Sequence, residues 1–183
     1  MSVEHQNISD NELVVGCISH DRRYQEILYR KYADEMYNVA LIYCDTEDEA
    51  CDVLQESFIK IFRKLDTYKF ESSLGSWIRR IIINTALDHY RKRKRESENV
   101  QIYIQTQELD IDNIISEINA GDLLSLIKKL PQRASMILKL YAIEGYAHKE
   151  IADMLDISEG TSKSQLSRAR MLLKNMLAEL DGK

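Results

Sequence analysis

Proline occurs once and glycine six times in 183 residues, so the chain has few points at which a helix is obliged to stop. Nothing in it resembles a run of alternating strands, and the dense helix formers predict an all-α fold. Cysteine is scarce too: Cys17, Cys44 and Cys51 are an odd number without a CxxC pair, and His5, His20, His89 and His148 are scattered. Those spacings argue against a disulfide framework and against a metal site. No apolar run nears the length of a membrane span and no opening stretch resembles a signal peptide. A soluble cytoplasmic protein is expected. The chain also lacks a Gly-rich phosphate loop, a metal cluster and a nucleophile with a partnered base. It is therefore not read as an enzyme, and no catalytic residue, cofactor or small-molecule substrate is expected.

The net charge of −5 counts against nucleic acid as a partner only if charge is spread evenly, and it is not. Residues 1–62 hold 13 acidic and 5 basic side chains, residues 63–95 hold 3 and 10, residues 96–122 hold 7 and none, and residues 123–183 hold 7 and 10. Two positive blocks separated by an anionic one predict two nucleic-acid surfaces and a linker, with an acidic start suited to a basic partner.

The stretch SWIRRIIINTALDHYRKRKR, from Ser76 to Arg95, dominates the first positive block. Leu74, Trp77, Ile78, Ile81, Ile82 and Thr85 have the spacing of a helix with one buried face. At about 100° per residue, Arg80, Asn84, Asp88, Arg91 and Arg95 fall on a different arc, with Trp77 at the seam and Lys92 extending the cationic run. An indole held beside guanidinium groups can stack on an unpaired base while the cations take phosphates; a core helix with a solvated end is the plainer alternative.

Upstream of it, residues 1–10 lack periodicity. Asp10 is placed to cap a short helix through about Ser19, and a longer helix follows with Tyr24, Ile27, Leu28, Tyr32, Met36, Val39, Ala40 and Tyr43 as its buried stripe. Thr46 to Glu49 then reads as a cap with carboxylates in the first turn. In that third helix Ala50, Leu54, Phe58 and Ile61 face inward. Asp48, Asp52, Gln55, Glu56 and Ile59 lie on the opposite arc, an acidic and amide surface with one apolar spot that suits a basic helical partner or is simply solvated. Between the helices, Tyr68, Lys69 and Phe70 break the pattern before Ser72 or Ser73 caps the next one. Aromatics and a lysine on such a loop can receive an extruded base, or pin the loop to the core. Downstream, Glu96 to Asp122 has no Lys or Arg and reads as an extended acidic linker, helical from about Ile111.

The chain is thus divided into a first domain over residues 1–95, a linker over 96–121 and a second domain over 122–183. In the last, Leu123, Leu126, Ile127 and Leu130 form one stripe, and Pro131 opens a helix carrying Ile137, Leu138 and Tyr141 that Gly145 ends. His148–Leu155, a turn at Asp156-Ile157-Ser158 and a final helix from Glu159 to about Leu180 have the spacing of a helix-turn-helix. Lys163, Ser164, Gln165 and Arg168 are the candidates for base edges in a major groove, and Thr161 and Arg170 for phosphates.

Taken together, three motifs resemble those of the extracytoplasmic-function sigma factors of bacterial RNA polymerase: DVLQESF (Asp52 to Phe58), SWIRRIIINTALDHYRKRKR, and LPQRASMILKLYAIEGYAHKEIADMLDISEGTSKSQLSRAR. The resemblance covers about residues 11–180. It implies that Asp52, Gln55 and Glu56 bind core RNA polymerase, with Ile59 on the same face, and that the loop from Tyr68 to Ser73 captures an unstacked promoter base. It further implies that the last helix reads duplex promoter DNA, that the linker threads toward the RNA path, and that an anti-sigma factor is a partner. Three residues depart from the pattern. Ala147 replaces a capping hydroxyl, Ser162 stands on an apolar stripe where Val is usual, and Gln165 replaces a frequent Arg. The competing reading is a helix-turn-helix regulator that binds duplex DNA without polymerase.

Overall fold

The computed structural model describes residues 8–96 and 120–181, and every regular element among them is a helix. The chain divides into two compact units, residues 1–97 and 98–183.

The first unit opens with α1 (Asp10–Ile18). Its cap is Ser9, one residue before the expected Asp10: the Ser9 hydroxyl accepts the Glu12 amide at 3.3 Å, and the Glu12 carboxylate accepts the Ser9 amide at 2.9 Å. This reciprocal box satisfies two amides that the helix itself cannot. Asp10 is thereby released to accept from Lys31 Nζ at 2.7 Å and the Tyr32 hydroxyl at 3.3 Å, which fastens α1 to α2 (Arg22–Tyr43). Along α2, Leu28, Tyr32, Met36, Val39, Ala40 and Tyr43 are buried as the periodicity predicts. Ile27, expected in that stripe, is exposed; at about 100° per residue it falls roughly opposite Met36.

Helix α3 (Glu47–Lys64) is capped by the Thr46 hydroxyl, which accepts the Glu49 amide at 3.2 Å. Three carboxylates in its first turn and Arg63 and Lys64 in its last oppose the helix dipole at both ends. A short 3₁₀ turn (Leu65–Thr67) leads to the loop that Ser73 closes by accepting the Ser76 amide at 3.2 Å. Helix α4 (Leu74–Glu96) then buries Leu74, Ile78, Ile82, Ile83, Ala86, Leu87 and Tyr90 against α2 and α3. Each large aliphatic side chain so buried contributes roughly 1.5–3 kcal/mol before entropy is counted. Ile81 stays half-buried at the edge of the seam.

The second unit comprises α5 (Ala120–Lys128), α6 (Gln132–Leu138), α7 (His148–Leu155) and α8 (Glu159–Asp181), with α5, α6 and α7 each packed on α8. The first domain's expected end at residue 95 falls inside α4, and the second's start at 122 inside α5, whereas most of the acidic linker, including the turn to helix predicted near Ile111, lies outside the described residues. Pro131 precedes α6, whose end widens into a π turn over Lys139–Ile143. That turn inserts one residue into the helical period, and Tyr141, expected in the core, comes out partly exposed. Gly145 stops the helix at φ 75°, a conformation that suits glycine. Asp156 (φ 53°) turns the chain between α7 and α8, and the Ser158 hydroxyl caps α8 by accepting the Thr161 amide at 3.0 Å.

Two glycines have opposite expectations. A Cβ on Gly16 would lie 2.2 Å from Cγ of Tyr24, near the stiff root of that ring, whereas one on Gly160 meets nothing closer than the Ser158 hydroxyl at 3.8 Å. Gly16→Ala is expected to cost about 1–3 kcal/mol by overpacking. Gly160→Ala is expected to stabilise by about 0.5–1 kcal/mol. Chemical denaturation of the two variants checks both signs.

Candidate nucleic-acid and partner interfaces

Asp52, Gln55, Glu56 and Ile59 recur at i, i+3, i+4 and i+7 and so share one face of α3. Asp52 and Gln55 are exposed, and Ile59 leaves 53% of its surface in water although it is aliphatic. Beside it the Tyr29 ring, itself exposed, packs at 4.7 Å on Phe58. Glu56 is engaged within the unit: it accepts from Lys60 Nζ and from His89 Nε2, each at 2.8 Å. Those bonds, His89 first and then Lys60, hold its carboxyl below the usual range. Lys60 also donates to the Thr85 hydroxyl at 3.2 Å and lies 3.5 Å from Asp88, which in turn pairs with Arg91. A continuous polar network therefore runs from the outer face of α3 to the cationic arc of α4. Sequence reasoning missed Lys60 and His89. The spacing of Glu56 and Lys60 was a usable signal, while the Glu56 to His89 contact spans 33 residues and no local pattern announces it.

On α4, Arg80, Asn84, Asp88 and Lys92 are exposed and Arg91 is half-exposed. Arg95 is in the last turn of α4, and its side chain lies outside the described ones. The cationic run is divided: Arg93 turns back to Glu49 and, at 3.4 Å, to Asp45 at the start of α3. Partial burial pushes the Glu49 carboxyl up, but the Arg93 guanidinium and the Asp45 amide outweigh it and hold the group below its ordinary range.

The two aromatics of the Tyr68–Ser73 loop take separate roles. Tyr68 is 8% exposed, and its hydroxyl donates to the Ser72 carbonyl at 2.5 Å. Its ring lies 5.4 Å from Trp77 and 4.6 Å from Phe70. Phe70 points outward, 52% exposed, on a backbone at φ 58° that a bulky residue seldom adopts. Half-buried Trp77 and buried Tyr68 thus form a fixed aromatic floor, with Phe70 and the exposed Lys69 at its rim. Stacking surfaces and cations in such proximity suit single-stranded nucleic acid.

In the second unit, Thr161, Ser164, Gln165 and Arg168 share one face of α8 at i, i+3, i+4 and i+7, with Lys163 beside them. Lys163 is exposed and pairs with Glu159 at 2.7 Å. The Thr161 hydroxyl shares a hydrogen bond with Ser158 at 2.8 Å, and the Ser164 hydroxyl donates to the Thr161 carbonyl at 3.1 Å. The opposite face buries Ser162, Leu166, Ala169 and Leu173. Arg170 lies over the Tyr141 ring, 5.7 Å from its centroid. At the start of α7, Ala147 supplies no capping hydroxyl, and only its amide is tied, to the Glu150 carboxylate at 2.9 Å. Burial first, and then Lys163, hold His148 below its ordinary range, so its ring is neutral at neutral pH.

Among the described residues no group of three or more His, Cys, Asp or Glu could hold a metal ion, and no helix is long and apolar enough to cross a membrane. Burial pushes the Cys17 thiol up to about 11, which removes it as a nucleophile.

The Glu49 to Arg93 pair has a pH signature. Because the folded-state carboxyl titrates below the unfolded one, its contribution is present above the ordinary carboxylate range and is lost as pH falls through the folded value. Glu49→Gln is expected to lower the melting temperature at pH ~7 and to shrink the loss between pH ~7 and pH ~4. Thermal unfolding at the two pH values checks it; an undiminished loss would separate this pair from acid stability.

The family model for Sigma-70 region 2 matches residues 28–96, and that for Sigma-70, region 4 matches residues 120–173. The ECF RNA polymerase sigma-E factor of Haemophilus influenzae is 27% identical over 187 aligned positions, covering 96% of this chain and 98% of that one. The ECF RNA polymerase sigma factor SigM of Mycobacterium tuberculosis is 27% identical over 178 positions, covering 94% and 87%. Among solved structures, the sigma factor RpoE co-crystallised with the anti-sigma factor NepR from Bartonella quintana has a TM-score of 0.52 at 21% identity, covering 84% of this chain and 96% of that one. At that identity the likeness speaks to the fold. With two regions of one family matched in order, one on each unit, the chain belongs to the sigma-70 family of RNA polymerase sigma factors, in its extracytoplasmic-function branch.

Proposed function

We propose that the chain is an alternative sigma factor in which the face of Asp52, Gln55, Glu56 and Ile59 docks on core RNA polymerase while α4 and its preceding loop hold melted promoter DNA. In the same reading α8 reads the upstream duplex element, with residues 1–95 and 122–183 as the two functional domains and 96–121 as the tether. One observation supports this most directly. A single helical unit carries an acidic face with an exposed isoleucine on α3 and a cationic, aromatic-floored arc on α4. A regulator that binds only intact duplex needs neither. The protein supplies promoter choice and strand separation rather than bond chemistry, and it acts in the cytoplasm where polymerase is. Since the related RpoE is crystallised with the anti-sigma factor NepR, an anti-sigma partner is proposed here as well.

Run-off transcription with purified core polymerase and genomic fragments is expected to give transcripts that depend on this chain. Duplex binding without polymerase, and no transcript from any fragment, would support the regulator instead. Within that assay Ile59→Asp is expected to weaken association with core polymerase at least tenfold, about 1.4 kcal/mol, at unchanged helix content, since Ile59 is exposed on α3. Full retention of association would remove this face from the interface. Phe70→Ala is expected to leave association intact and to lower open-complex formation by an amount in the range of about 1–3 kcal/mol per stacked base, read by permanganate footprinting.

A further inference from the structure

Ser162 is wholly buried on the inner stripe of α8, where a hydroxyl without a partner is costly. Its oxygen is 2.9 Å from Nδ1 of His148, the first residue of α7. The His148 ring is stacked on Tyr141, with centroids 4.8 Å apart and planes at 21°. The guanidinium of Arg170 lies against that same tyrosine. One imidazole thus contacts the first turn of α8 through a ring nitrogen and the Tyr141 platform through its π face. We propose that His148 is a positioning residue for the recognition helix: its bond to Ser162 fixes the rotation of the face formed by Thr161, Ser164 and Gln165, and its ring, with Tyr141, sets where Arg170 meets phosphate.

This rests on the reading of α8 as the helix that enters duplex DNA. The physical case is one of directionality. Apolar packing along the inner stripe of α8, where Leu166, Ala169 and Leu173 are buried, tolerates small rotations, whereas a hydrogen bond weakens steeply with misalignment. Ser162 sits between Thr161 and Lys163, so a rotation there displaces every side chain proposed to reach a base edge. The Arg170 contact is of a different kind. A cation held over an aromatic face is kept from wandering in solvent, and it is the ring of His148, not its nitrogen, that braces Tyr141.

Two substitutions divide the roles. His148→Phe keeps a ring for Tyr141 and deletes the bond, while His148→Asn sets an amide near the place of Nδ1 and deletes the ring. The experiment uses the full chain assembled with core RNA polymerase. It measures selection from a promoter duplex pool randomised in the upstream element, then the salt dependence of binding to the winning duplex. His148→Phe is expected to broaden the selected sequence, with about a tenfold loss of preference at one or more positions, at an unchanged salt slope. His148→Asn is expected to preserve the sequence and to reduce the log-log salt slope by about 0.9, one phosphate contact. Ser162→Ala should behave as His148→Phe, and the double variant no worse than either alone; should His148→Phe fail to fold, Ser162→Ala carries the same expectation. Variants that keep both sequence and slope, or that weaken all duplexes equally with both unchanged, would reduce His148 to packing and overturn the proposal. A wild-type holoenzyme that selects no sequence overturns the reading of α8 itself, and this inference with it.

Discussion

Helix α4 can present an arc of cations only because its opposite side is committed to α2 and α3. Leu74, Ile78, Ile82, Ile83 and Leu87 are buried there, and at roughly 1.5–3 kcal/mol each they outweigh any exposed ion pair, whose median worth is about 0–1 kcal/mol. The fold of the first unit is accordingly fixed by apolar burial. Its surface charges are then available for other tasks, among them setting orientation. The network of Glu56, Lys60, His89 and Asp88 illustrates this. It adds little to stability, yet it ties the α3 face proposed for polymerase to the α4 arc proposed for melted DNA.

The second unit solves a similar problem with other means. Helix α8 must stay rigid while one face remains open, and its inner stripe interrupts Leu166, Ala169 and Leu173 with a buried serine. Bonding to His148 turns that apparent weakness into a directional contact. The π turn after α6 brings Tyr141 into reach of both His148 and Arg170. A regular helix would have rotated that ring elsewhere. Ser162 therefore gives that stripe a hydrogen bond in place of part of its apolar packing.

Much of this was legible beforehand, because helical spacing and caps are local. The stripe of α4, the Thr46 cap and the Asp156–Ser158 turn all follow from residues within a few positions of one another. What could not be read depends on distant partners or on a change of period. Ser9, not Asp10, caps α1, and the aspartate instead meets Lys31 and Tyr32, about twenty residues on. Ile27 looked like core because any isoleucine near a stripe does, and only the arc covered by neighbouring helices decides. Tyr68 and Phe70 were indistinguishable as aromatics on a loop. The Ser72 carbonyl that receives the Tyr68 hydroxyl, and the left-handed backbone at Phe70, separate them.

Charge gives the most instructive contrast between composition and arrangement. The overall balance is −5, yet the block from 63 to 95 carries 10 basic and 3 acidic side chains. Folding reduces the exposed part of that excess, because Arg93 faces Glu49 and Asp45, and Arg91 shares Asp88 with Lys60. Acidic residues near the start of α3 are thus partly occupied in holding the basic end of α4, while Asp52, one turn further along, remains at the surface with Gln55 and Ile59. An acidic helix laid beside a basic one leaves two unlike faces on one small scaffold. Counting charges along the sequence identifies the blocks, but only the pairing across helices tells which charges are used within the unit and which are left facing outward.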